Sequence, residues 1–153
     1  MNKEMEDAFW HLSSGKEFKE AFYILISKFD VINSVWKEQV DRPSYYCAGL
    51  AVEHFLKSYL SLEKIIFPRN HGGHNLNSLL SLGGSKLRRF FNLDYVDIKQ
   101  IGLLNERYYN HESYGKDDLR YGKKSGLRKS PHPDSLNMIV NKMNEKLMIK
   151  LSR

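Results

Sequence analysis

Apolar residues recur along most of the chain at alternating steps of three and four, the spacing that gathers side chains on one face of an α-helix. Phe9, Trp10 and Leu12 form a short amphipathic opening that is expected to pack onto the body. Ser14-Gly15-Lys16-Glu17 has the Ser-x-x-Glu spacing of a capping box and predicts a helix start there. Phe18, Phe22, Leu25, Phe29, Ile32 and Trp36 then stripe one side of a long helix. Asp41-Arg42-Pro43 predicts its end, with Pro43 in the first turn of the next helix, where the N–H that proline lacks would have no partner anyway. Tyr45, Ala48, Val52, Phe55, Tyr59, Leu62 and Ile66 repeat the stripe, widened by Leu56 and Leu60. Two such helices joined by a short turn form an antiparallel hairpin.

The pattern breaks at Pro68, Arg69, Asn70, His71 and the pair Gly72-Gly73, which predict a turn. Asn75 can cap a short helix carrying Leu76, Leu79, Leu80 and Leu82, and Gly83-Gly84 should stop it. After a basic segment with Lys86, Arg88, Arg89, Phe90 and Phe91, Asp94 can cap a fourth helix that turns Ile98, Ile101, Leu104 and Tyr108 inward and fades near Gly115. No apolar period survives in residues 115–133, which predict an exposed basic loop. Asp134 or Ser135 then caps a final helix with Leu136, Ile139, Val140, Met143 and Leu147 on its core face. The expected fold class is all-α, an up-and-down bundle of four to five helices forming a single domain over residues 1–153, with no internal repeat.

Composition narrows the partners. The 153 residues hold 24 Lys and Arg against 18 Asp and Glu, a net charge of +6, so polyanions such as nucleic acids are plausible partners. Between residues 116 and 129, six cations stand against two carboxylates, which concentrates most of the surplus there. The one cysteine, Cys47, excludes an internal disulfide and fits a reducing, cytoplasmic setting. Residues 1–10 are too charged for a signal sequence, and no stretch has the uninterrupted apolar length a bilayer requires.

Candidate chemistry is sparse. His71, His74, His111 and His132 do not make a zinc set, because His71-x-x-His74 across two glycines supplies two ligands at most, and no metal or cofactor is expected. Gly83-Gly84-Ser85-Lys86 lacks the Gly-x-x-x-x-Gly-Lys spacing of a phosphate loop. Glu53 and Lys57 stand four apart in the favourable order for an ion pair. His54 is expected at the surface or in packing. Arg88, Arg89, Arg120, Lys123 and Lys124 offer phosphate contacts; Phe90, Phe91 and Tyr121 either stack unpaired bases or belong to the core.

Ala51-Val52-Glu53-His54-Phe55-Leu56-Lys57 resembles the Ala-x-Glu-x-x-Leu-Lys signature of HEPN domains, the small helical bundles of higher eukaryotes and prokaryotes. His74-Asn75-Leu76 with Leu79 resembles the His-x-Leu-x-x-Leu start of that family's next helix. Leu104-Asn105 with Tyr108, and the later Arg120-Tyr121, resemble its Leu-Asn-x-x-Tyr and Arg-Tyr elements. The resemblance spans residues 18–148 and makes Glu53, Lys57 and His74 the scaffold signature, in which Glu53 is either the helix-pair partner of Lys57 or a buried acceptor organising the bundle.

The resemblance implies a bundle that is frequently a homodimer, in a family tied to RNA or nucleotide chemistry and to toxin–antitoxin and antiviral defence modules. Ribonuclease members carry Arg, four to six residues, then His, and two copies across a dimer let the RNA 2′-hydroxyl attack its own phosphate without a metal. Here Arg107-Tyr108-Tyr109-Asn110-His111 leaves only three residues between Arg and His. That departure makes RNA or nucleotide binding without cutting the first expectation. The alternatives are a metal-independent endoribonuclease using Arg107 and His111 with Asn110 in support, and a scaffold that recognises a partner protein from a neighbouring gene. Arg69 and His74 have the four-residue gap but lie in the glycine turn, and the match is read as coincidence.

Overall fold

The computed structural model describes residues 2–28, 34–109 and 131–152, and at 34–42 and 71 the backbone alone. Among the described residues it holds five α-helices and no strand: α1 (Lys3–Ile26), α2 (Ser34–Leu62), α3 (Leu76–Phe91), α4 (Tyr95–Tyr108) and α5 (Pro133–Leu151), with a 3₁₀ turn at His71–His74 before α3. All five helices contribute to one apolar core, which includes Leu12 and Phe22 of α1, Phe55 and Tyr59 of α2, Leu79 and Leu87 of α3, Ile101 and Leu104 of α4, and Ile139 and Met143 of α5. None of these helices is long and apolar enough to cross a membrane.

The central element is α2, which packs against each of the other four helices and most extensively against α1. Every residue from 51 to 61 is consequently buried, including Glu53, His54, Lys57, Ser58 and Ser61. A helix enclosed on all sides has no face on which to leave its polar groups in water, which favours partners inside, although the Tyr59 hydroxyl is buried without a hydrogen bond among the described residues. Ser58 has such a partner, donating its hydroxyl to the Ala8 carbonyl of α1 at 2.9 Å.

Several sequence expectations give way to packing. The first helix begins at Lys3 instead of at the Ser14 capping box, with Asn2 as N-cap accepting from the Met5 amide at 3.0 Å. Ala8, Leu12, Gly15 and Phe22 form its buried face, so the segment before Ser14 already has a core to join. Phe9 and Trp10, expected to pack inward with Leu12, are exposed at 40% and 61%. Pro43 lies inside α2, which starts at Ser34, so the proline removes one helical hydrogen bond from the interior. The side chains of Phe29, Ile32 and Trp36 lie outside the described residues.

Gly83-Gly84 bends α3 without ending it. Gly84 has φ +57° and ψ −148°, a backbone state open essentially to glycine, and helix resumes beyond it to Phe91 and the left-handed C-cap Asn92. The two predicted caps before α3 and α4 are present. Asn75 accepts from the Ser78 amide at 3.0 Å, and Asp94 and Asp97 form a reciprocal capping box. The last helix starts one residue before the predicted caps: His132 is its N-cap and makes no side-chain cap bond, while Pro133, with φ already helical, opens the first turn. Its predicted core face, from Leu136 to Leu147, is buried throughout.

Candidate functional site

The polar residues trapped on α2 assemble around one carboxylate. Glu53, 2% exposed, accepts from Lys57 Nζ at 2.7 Å on Oε1, one helical turn along. His74, at the end of the 3₁₀ turn, brings Nδ1 to 3.1 Å of Oε1 and 3.0 Å of Oε2. Tyr108, in the last turn of α4, donates its phenol to Oε2. A buried carboxylate must have several donors to remain charged, and this one draws them from three elements. Burial pushes the Glu53 carboxyl upward, but Lys57, the Tyr108 hydrogen bond and His74 more than offset it, and the group titrates below its ordinary value.

A second long-range bond locks α3 to α4. The amide nitrogen of Leu76, the first residue of α3, donates to Asn105 Oδ1 of α4 at 2.7 Å in a buried setting. Helix N-termini leave their first amides without partners, and Asn105 supplies one where water cannot. Of the residues carrying the resemblance, Glu53, His74, Asn105 and Tyr108 thus make bonds between elements, and Lys57 pairs with Glu53 within α2.

On the other side of α2, His54 is buried against α1, with Nδ1 at 3.0 Å from His11 Nδ1 and its ring stacked on Phe18 at 5.7 Å between centroids. Two imidazoles this close require one ring to donate and the other to accept on an unprotonated nitrogen, so both cannot be charged at once. Burial, His54 and Lys57 push His11 down to about 4, and burial likewise lowers His54.

The remaining candidates are scattered. Arg107 is half-buried in the last turn of α4, its guanidinium 5.4 Å from the centroid of the Tyr45 ring. Arg88 and Arg89 are exposed in the last turn of α3, and the neighbouring Lys86 pairs with Glu63. Phe91 is fully buried in the core, and Phe90 packs half-buried against it in a ring cluster with Tyr59. Asn110, His111, Arg120, Tyr121, Lys123 and Lys124 lie outside the described residues. Burial pushes the Cys47 thiol up, which keeps it protonated and a weak nucleophile at neutral pH. Among the described residues, no group of three or more His, Cys, Asp or Glu side chains is arranged to hold a metal.

Asn105 had a readable signal, because the spacing of Ile101, Leu104 and Tyr108 puts it on the inward stripe of α4. The His11–His54 bond had none, since its partners stand 43 residues apart.

The fold and this network define an all-helical bundle organised around a buried, multiply bonded glutamate. No known family model, characterised protein or solved structure matches the chain.

Proposed function

We propose that the chain is a HEPN-like, up-and-down helical domain that binds RNA or nucleotides through phosphate contacts and does not cut them. The observation that supports it is the convergence of the motif residues. Glu53, Lys57, His74, Asn105 and Tyr108 are spread over the sequence, yet Lys57, His74 and Tyr108 meet on Glu53, and Asn105 bonds the start of α3 to the helix that carries Tyr108. The net charge of +6 and the exposed Arg88 and Arg89 supply the attraction for phosphate. Cytoplasmic placement and a homodimer belong to the same reading.

Labelled single-stranded RNA, titrated over a range of salt, tests it. Retention should weaken steeply as salt rises, and Arg88→Ala with Arg89→Ala should lower the slope of log K against log salt by about one for each phosphate that is no longer neutralised. Absence of retention at every salt concentration overturns RNA binding.

A second reading rests on Arg107, whose guanidinium is held over the Tyr45 ring beside the Glu53 partner Tyr108. With His111 of each copy in a homodimer it would serve a metal-independent endoribonuclease. RNA cutting that persists in EDTA and disappears in His111→Ala would favour that reading over binding alone. A protein-interaction scaffold within a toxin–antitoxin or antiviral module is what remains if RNA is neither held nor cut, and co-purification of a partner from the native cell tests it.

A further inference from the structure

His74 differs from the other members of the Glu53 network in reaching the surface. Its side chain is 45% exposed, while the carboxylate it touches is 2% exposed. A carboxylate can only accept, so the imidazole must donate its Nδ1–H inward. The exposed ring edge is then the one that carries Nε2, and among the described residues Nε2 forms no hydrogen bond. The ring is also held in orientation, because both Glu53 oxygens lie within 3.1 Å of Nδ1 and Tyr108 and Lys57 hold that carboxylate from other directions.

Charge at this point is balanced in a specific way. Lys57 neutralises Glu53 at 2.7 Å, so the buried pair presents little net charge to a visitor at the surface. A proton added to His74 therefore goes to Nε2 and places a positive charge on a side chain that is 45% exposed. His54 and Lys57 on α2, Tyr108 on α4 and Glu53 itself are the titratable groups packed around it, and Arg69 is exposed earlier in the same connection. A neutral Nε2 can only accept, and a phosphodiester oxygen, which carries no proton, also only accepts. Contact with phosphate consequently requires the doubly protonated ring, which gives Nδ1–H to Glu53 and Nε2–H to the ligand.

We propose that His74, oriented by Glu53, is a proton-linked contact for a phosphate group of a nucleotide or RNA ligand. The inference rests on the nucleotide-binding reading above and adds a named atom and a proton to it. It is a binding contact and involves no bond making or breaking.

The full chain is titrated with inorganic phosphate, adenosine monophosphate and a short oligouridylate, following the His74 imidazole resonances by NMR at several pH values. The expected result is a saturable shift at His74 and oligouridylate binding that weakens as pH rises, approaching about tenfold per pH unit, as one linked proton requires. His74→Gln, which keeps a neutral donor, should bind with that pH dependence removed. A shift with the oligomer alone assigns the contact to a phosphodiester, and a shift with the monophosphate as well assigns it to phosphate in general. RNA that binds while His74 does not move, with the same pH dependence in His74→Gln, overturns this inference and leaves RNA binding standing. A His74 response to phosphate or the monophosphate without RNA retention does the reverse. A His74 resonance unmoved by all three probes overturns the contact even if the variant fails to fold.

Discussion

The phenol of Tyr108 donates to the carboxylate of Glu53 across the contact between α4 and α2, joining residues 55 positions apart. Tyr108→Phe keeps the ring and removes only the donor to a charged acceptor, a loss of about 1.5–3 kcal/mol. Urea unfolding should show a lower midpoint with the slope unchanged. An unaltered midpoint would mean that Lys57 and His74 satisfy Glu53 without help.

Glu53→Leu should be harsher than its loss of packing suggests, because it leaves the Lys57 ammonium buried with its counter-charge gone. The expected loss is about 3–5 kcal/mol, and Glu53→Leu combined with Lys57→Leu should recover part of it. Equal stability of the single and double variants, measured by thermal or urea unfolding, would argue against a buried ion pair.

Asn105→Ala orphans the first amide of α3 in a site closed to water. The cost should be about 1–3 kcal/mol, and hydrogen exchange at the Leu76 amide should accelerate more than in the middle of α2. Unchanged protection of that amide would show that another acceptor replaces Asn105.

Two glycines should respond differently to a methyl group. A Cβ on Gly15 would meet the Phe55 ring at 2.5 Å, so Gly15→Ala overpacks the contact between α1 and α2 by about 1–3 kcal/mol. A Cβ on Gly84 meets nothing within 4 Å, and the loss there, again about 1–3 kcal/mol, comes from its backbone state. Trimming Phe55 to Leu should therefore relieve the first defect and leave the second untouched, as the double variants would show in unfolding midpoints.

Stability should fall as the solution is acidified from about pH 6.5 to about 4. His11 takes up its proton near 4 when folded and at its ordinary value of 6.5 when unfolded, so the unfolded chain binds more protons in that window and is favoured as pH drops. His54 acts in the same direction. Glu53, lowered in the folded state, adds a loss that begins only below 4.5. His11→Phe should flatten the upper part of the profile and keep the steep fall below it; identical profiles for variant and parent would contradict the assignment to His11.

Short-range information carried the helices. Apolar steps of three and four, the Asn75 cap and the Asp94–Asp97 capping box involve residues within one or two turns, and they yielded the core face of α5 and the starts of α3 and α4. The Glu53–Lys57 pair was legible for the same reason, being one turn of a single helix. Whether Glu53 stood in water or inside was decided only when four helices closed around α2, which sealed the polar face that the stripe had left outward. The same closure set Gly15 under Phe55, drew α1 back to Lys3, and met Glu53 with His74 and Tyr108, 21 and 55 residues away. Helical periodicity tells which side of one helix is apolar, but it does not contain the docking angle or depth of its neighbours, and those determine which buried polar groups meet.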